Sequence, residues 1–141
     1  MKPVTLLIIS RGKASLGRMF QGYMEYFNRG NLKVTVASTD IRTIHPLALD
    51  VMNEDGIDLD QSITLDYTKY DLASFDEILI LGNVSNTVLQ NLNGRNFRQF
   101  KIDDPLRSES YLNTVEQYRQ VREELKRICI ELIGNYSLVK S

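Results

Sequence analysis

The sequence is short of several things, and each shortage removes a class of function. Among 141 residues there is one cysteine, Cys129, so no intrachain disulfide forms and dithiol redox chemistry lacks its second thiol. A chain built this way suits a reducing cytoplasm, where it is expected to reside. There is little surplus of charge: the formal net charge is -1, too small to steer the chain onto nucleic acid. There is no apolar run of membrane length either. Val4–Ile9, the run nearest the start, is much shorter than a bilayer span and no small-residue cleavage pattern follows it, so it reads as a buried strand rather than a signal or anchor. No membrane association, cofactor or metal is expected. Internal repeats and low-complexity segments are absent.

What is present fits one domain over residues 1–141. A hydrophobic content of 43% is ordinary for a folded globular chain, and this length buries a sizeable core. The β-branched run Val4–Ile9 predicts a central parallel strand. After a break at 10–15, Leu16, Met19, Phe20, Tyr23, Met24 and Phe27 recur at helical spacing, with Gly30 beyond the end. Leu32–Ala37 alternates like a strand near a sheet edge. Pro46 suits the first turn of a helix of about ten residues that Gly56 stops. Glu77–Leu81 is a third strand, Val84, Val88, Leu89 and Leu92 mark a short helix, and Phe97–Ile102 alternates as a fourth strand ending at Asp103-Asp104-Pro105. Leu112, Val115, Tyr118, Val121, Leu125, Ile128 and Leu132 form the stripe of a long terminal helix. Strands alternating with helices predict an α/β, three-layer αβα fold around a four-stranded, mostly parallel open sheet. Ligands of such sheets sit beyond the strand C-termini, here the loops after Ile9, Leu81 and Ile102.

The loop after the first strand is the candidate site. A strand, a glycine-containing turn and a helix N-terminus bring successive backbone N–H groups toward one point, which suits an anion. Gly12 permits a positive φ, Ser10 and Ser15 carry hydroxyls, and Arg11, Lys13 and Arg18 add positive charge. On these residues alone, a solvated connecting loop and exposed basic side chains explain the segment as well as an anion cradle does.

The segment Ile8-Ile9-Ser10-Arg11-Gly12-Lys13-Ala14-Ser15-Leu16-Gly17-Arg18-Met19 resembles, without a gap, the strand, Cys-x-Gly-x-x-Cys-Arg-Ser loop and helix that open the low-molecular-weight protein tyrosine phosphatases and the thioredoxin-coupled arsenate reductases. Ala37, Thr39 and Arg42 resemble that superfamily's second-strand region. His45-Pro46-Leu47-Ala48 and Gly56-Ile57-Asp58 resemble its second helix and turn, and Phe75–Ile80 its third strand. Asp104-Pro105 is similar to its general-acid loop and Tyr118–Leu125 to its terminal helix. The resemblance spans nearly the whole chain and implies the phosphotyrosine phosphatase I-like fold.

It also implies which parts of the chemistry are gone. In the family the first loop position is a cysteine thiolate that attacks phosphorus; here it is Ser10, whose hydroxyl has no comparable ionised form without an adjacent base. The only histidine, His45, belongs to a different loop. Leu16 stands where the family arginine forks onto the phosphoryl oxygens, and Gly17 lacks the hydroxyl that orients the nucleophile. Asp104 keeps the position of the acid that protonates the leaving oxygen, with Asp103 one place away, although Asp-Pro is also an ordinary strand-ending turn. The further cysteines of the arsenate reductases have no counterpart between Gly82 and Asn91, and Cys129 reads as a small core residue. Tyr67 and Tyr70 read as packing residues.

The resemblance therefore implies a catalytically impaired or inactive relative that retains anion binding through residues 11–17: Arg11, Gly12, Lys13, Ala14, Ser15, Leu16 and Gly17. Phosphate, sulfate or a phosphorylated partner is its expected ligand. Two alternatives stand beside it. One is a divergent phosphatase using Ser10 or water with Asp104 as acid. The other is an interaction subunit with a vestigial loop and an exposed aromatic patch that includes Tyr23, Tyr26 and Tyr111.

Overall fold

The structure, a computed structural model, describes residues 3–28, 30–40, 43–107 and 110–140, with side chains described as far as residue 136. Arg42, one of the residues that carry the resemblance, lies outside the described residues.

The apolar run at the start becomes β1 (Val4–Ser10), in which Leu6, Leu7, Ile8 and Ile9 are fully buried. Such burial is possible only if both faces are covered and both edges paired. On one edge β1 pairs in parallel with β2 (Leu32–Ser38), in register from Val4 opposite Leu32 to Ser10 opposite Ser38. On the other it pairs in parallel with β3 (Glu77–Leu81), from Leu6 opposite Glu77 to Ile9 opposite Ile80. A short β4 (Phe97–Phe100) extends β3, again in parallel, giving the order β2-β1-β3-β4. β4 closes at Phe100 rather than at the expected Ile102.

Alternate residues of the central strands enter two separate cores. Leu6, Ile8, Leu79 and Leu81 pack with α1 (Leu16–Phe27), α2 (Pro46–Glu54) and α4 (Tyr111–Lys140). Leu7, Ile9, Ile78 and Ile80 pack on the opposite face with Tyr67 and with Val88 and Leu92 of α3 (Asn86–Asn91) and its end. The result is the expected αβα layering. Single 3₁₀ turns at Tyr67–Lys69 and Leu72–Ser74 carry the chain from the β2 edge back to β3.

Two expectations from periodicity change here. Leu112, placed on the apolar stripe of α4, is 77% exposed, because the buried face of that helix begins only at Thr114. Tyr23, offered as part of an exposed aromatic patch, is 1% exposed. Its hydroxyl donates to Asp55 Oδ2 at 2.5 Å, which satisfies the phenol that burial would otherwise strand. Burial, then that bond and the Asp55 charge, push the Tyr23 phenol above its ordinary range.

Around Tyr23 the helices are fastened by ions. Arg122 donates to the Val51 carbonyl at 2.8 Å and to Glu54 at 2.7 Å, and Arg119 forks onto the same Glu54. These two arginines hold the Glu54 carboxyl at about 2. At the far end of the sheet Tyr136 donates to Glu77, which also accepts from Arg98. Cys129 is buried against Met24, as a core residue should be, and burial pushes its thiol up to about 12.

Candidate functional site

The strand order reverses between β1 and β3, so their C-terminal ends part and leave a crevice where α/β sheets hold ligands. A cavity of about 330 Å³ occupies it. The loop after β1 contributes Arg11, Gly12, Lys13, Ala14 and, at its end, Leu16. The segment after β2 contributes Thr39 and Asp40, the end of β3 contributes Leu81, Gly82 and Asn83, and the segment after β4 contributes Ile102 and Asp104. Five of the seven residues expected to bind an anion therefore line one cavity. Ser15, Gly17 and Ser10 do not line it.

The loop is held in shape from several sides. Gly12 takes φ 83° and its carbonyl accepts the Ser15 N–H at 3.1 Å, closing a turn. Ser15 itself takes φ 64°, the one non-glycine among the described residues in the left-handed region, a conformation that costs an L-residue about 1 kcal/mol or more. Its hydroxyl accepts the His45 N–H at 2.7 Å, and its carbonyl accepts the Met19 N–H. In this left-handed conformation, with its hydroxyl on His45, Ser15 makes no side-chain bond to the first turn of α1. The N–H groups opening this 12-residue helix thus lack the cap that an N-terminal serine ordinarily supplies.

Two residues that sequence reasoning left outside the site support it. Tyr118 of α4, fully buried, donates its hydroxyl to the Ala14 carbonyl at 3.1 Å, holding that carbonyl toward the core. Burial, then the charge of Asp104, push the Tyr118 phenol up. Its position on a buried helical stripe was the signal, since a buried tyrosine hydroxyl requires a partner. His45 contacts the loop through Ser15, not Ser10, and its ring lies 5.4 Å from that of Tyr118. Its Nδ1 accepts the Leu47 N–H, capping α2, and burial followed by the Lys13 charge lowers its pKa.

The three basic residues expected near the pocket separate. Arg11 and Lys13 are exposed at the cavity rim. Arg18 is neither exposed nor in the cavity: it is 8% exposed and points toward the 60–64 segment. There it donates to Thr64 Oγ1, Gln21 Oε1, Asp60 and the carbonyls of Ser62 and Ile63 at 2.9 to 3.4 Å.

Ser10 is 3% exposed, and Leu16 lines the cavity as part of the larger core. A Cβ added at Gly17 would lie 2.8 Å from Val36 Cγ1 and 3.3 Å from Ser10 Oγ. The Ser10 hydroxyl therefore faces α1, and the branched Val36 leaves no room for a side chain at position 17. Asp104 lines the cavity and also closes a turn, accepting the Leu106 N–H on Oδ1 at 2.9 Å. Asp103 faces Arg107 instead. Among the described residues no group of three or more His, Cys, Asp and Glu is placed to hold a metal, and no helix is long and apolar enough to cross a membrane.

No family model and no curated protein matches the chain. Solved structures do. An arsenate reductase in the phosphate binding state is 21% identical, with 96% of this chain covered, 99% of that chain, and a TM-score of 0.79. A cysteine-to-serine mutant of the arginine phosphatase YwlE, carrying a phosphorylated active-site serine, is 16% identical over 95% of this chain and 96% of that one, with a TM-score of 0.78. A low-molecular-weight protein tyrosine phosphatase from T. tengcongensis is 16% identical over 94% and 99%, with a TM-score of 0.74. Across nearly its whole length, the chain has the fold that the arsenate reductases and the low-molecular-weight protein tyrosine phosphatases share.

Proposed function

We propose that this chain binds a phosphate-like anion in the cavity beyond β1 and β3 and does not turn it over by the covalent route of its fold. The observation that carries the reading is the first turn of α1, which has no side-chain cap from Ser15 and begins at the cavity with Leu16. Uncapped N–H groups at a helix start, with the positive end of its dipole, favour an anion. Arg11 and Lys13 at the rim add charge of the right sign.

Against turnover stand the residues that would have to react. Ser10 is buried beside Gly17 and makes no hydrogen bond to a base among the described residues. Leu16 brings an apolar side chain where a transition state needs a donor. Asp104 remains at the cavity, but an acid without a nucleophile completes no step.

The test is a titration with inorganic phosphate followed by amide resonances, paired with an aryl phosphate assay across pH. Saturable shifts concentrated in residues 11–17 are expected, with hydrolysis at the blank rate. Aryl phosphate turnover well above blank that Ser10→Ala or Asp104→Asn abolishes would overturn the reading.

The phosphorylated serine in the YwlE mutant favours a second reading, in which Ser10 accepts a phosphoryl group. Its Oγ–P bond would form as the aryl oxygen leaves with the proton of Asp104, and the Ser10 proton would pass to water. Intact-mass measurement after exposure to an aryl phosphate separates the two: one added phosphoryl group, absent in Ser10→Ala, supports the second.

A further inference from the structure

The two edges of the sheet are finished differently. At β2 the Ser38 N–H donates to the Leu65 carbonyl and Ser38 bridges to Asp66, so the returning chain covers the end of that edge. At β4, among the described residues, no main-chain hydrogen bond reaches the outer edge. Which groups lie there follows from the ladder to β3. The Ile78 N–H donates to the Asn96 carbonyl and the Gly82 N–H to the Phe100 carbonyl, so both carbonyls face inward. In a trans peptide the next N–H points the opposite way, and the pattern alternates along the strand. The N–H groups of Phe97, Gln99 and Lys101 and the carbonyls of Phe97 and Gln99 therefore face outward.

An uncovered edge is a template for another strand, and charge is its common defence. Here the charges of Arg98 and Lys101 are interleaved with rings, in the run Phe97-Arg98-Gln99-Phe100-Lys101. An antiparallel copy of this run centred on Gln99 sets Phe97 opposite Lys101 and Arg98 opposite Phe100. Every cation then meets a ring and none meets its like. Arg98 already stands over the Phe100 ring of its own chain, 5.8 Å from the centroid. A parallel copy in register would instead oppose Arg98 to Arg98 and Lys101 to Lys101, which repel.

The main chain fits the same centre. Gln99 exchanges N–H and carbonyl with Gln99 of the second copy, and each Lys101 N–H meets a Phe97 carbonyl, all of them groups that face outward. Moving the centre toward Lys101 would run the pairing into the Asp104 turn and Pro105, which has no N–H to give. Beside the edge, Phe97 also lines a shallow cavity of about 360 Å³ with Asn86, Leu89, Gln90 and Asn93. Its carboxamide oxygens suit the ammonium of a lysine lying along the Phe97 ring.

We infer that β4 pairs with β4 of a second copy of this chain, antiparallel about Gln99, and so continues the sheet across a two-fold axis. The inference does not depend on the anion-binding reading.

The test is sedimentation equilibrium of the full chain from roughly 10 μM to 1 mM, the range in which a small interface assembles, with amide exchange followed at both ends. A monomer-to-dimer transition is expected, and with it slower exchange at Phe97, Gln99 and Lys101 but not along the β2 edge. Gln99→Pro removes an outward N–H at an edge position that tolerates proline, and should weaken the dimer by about tenfold or more. It also removes the side-chain bond to the Gly82 carbonyl. Gln99→Ala loses that bond yet keeps the N–H, so it should dimerise within about threefold of the parent. Lys101→Glu, at an exposed position, replaces the cation facing Phe97 and should weaken the dimer severalfold even if the proline variant does not fold. A chain that stays monomeric at the highest concentration overturns the inference. So does a dimer that leaves β4 exchange unchanged, or one that survives both Gln99→Pro and Lys101→Glu.

Discussion

Two groups of arginines and lysines in this molecule are used in opposite ways. Arg18, Arg119 and Arg122 each reach several acceptors: Arg18 fastens the 60–64 segment to α1, and the other two fasten α2 to α4. Arg11 and Lys13 make no hydrogen bond or ion pair among the described residues and stand at the mouth of a cavity. The first group is explained by the fold it secures. The second contributes nothing visible to that fold and sits beside a helix start that also lacks its usual partner. Charge that fastens and charge left for a ligand are thus separated in space, one among the helices and the other at the strand ends.

The sharpest way to break this contrast is Arg18→Met. It preserves much of the side-chain volume but leaves the buried Thr64 and Gln21 oxygens and the Ser62 and Ile63 carbonyls short of donors. A loss of about 2–4 kcal/mol in denaturant unfolding is expected, as for removal of a buried multi-bond donor. A loss under about 0.5 kcal/mol, the ordinary size for a surface substitution, would place Arg18 with the uncommitted charges.

Tyr118→Phe sharpens the comparison from the middle, since Tyr118 belongs to the core by burial and to the loop by its hydroxyl. It removes one buried bond and leaves the Ala14 carbonyl unpaired, with an expected cost of about 1–2 kcal/mol. Phosphate affinity should fall with it, because among the described residues no other side chain donates to the Ala14 carbonyl and holds it toward the core, away from an anion. Unchanged phosphate affinity in a destabilised variant would make Tyr118 a core residue alone.

These two residues mark how far the sequence could be read. β1, α1 and the parallel order were legible because an unbroken β-branched run and a 3.6-residue period leave few alternatives. The cavity was legible in outline, since ligand positions follow from topology. The direction of Arg18, the burial of Tyr23 and the hold of His45 on Ser15 were not. Each depends on a contact made 30 to 46 residues away in the chain, and local periodicity carries no information about what such a side chain meets. Val36 is the clearest case: it excludes a side chain at Gly17 from a neighbouring strand, which no reading of the loop alone can reveal.

His45 reports on both sides of the comparison and gives a smaller, pH-dependent effect. Burial and then the Lys13 ammonium hold its imidazole below the ordinary value. The unfolded chain therefore takes up the proton first as pH falls. Its contribution to stability is complete above the ordinary histidine value of about 6.5, declines below it, and levels off beneath the lowered folded value. Phosphate at the loop should offset Lys13 and raise the imidazole, and Lys13→Ala should do the same without ligand. Because the chain has a single histidine, one ring resonance follows this directly. A titration at the ordinary value, indifferent to both changes, would show that the loop charge does not reach it.

The smallest effect on stability is expected from Arg11→Ala combined with Lys13→Ala, and it is the most decisive for the contrast. Neither side chain has a partner to lose among the described residues, so unfolding should shift by no more than about 0.5 kcal/mol, within the range of exposed substitutions. Only below the ordinary histidine value, where the imidazole charges, does removing Lys13 also relieve its repulsion of His45 and add stability. Phosphate affinity should behave differently. Two exposed cations near a dianion are worth roughly 0.2–1 kcal/mol each, which makes the double variant weaker by about twofold to thirtyfold, and the difference should shrink as salt screens it. A variant that keeps both its stability and its phosphate affinity would mean that the α1 N–H groups alone define the site. One that loses several kcal/mol would mean that these charges belong to the fold after all, and the separation of fastening from uncommitted charge would fail at the place where it is drawn.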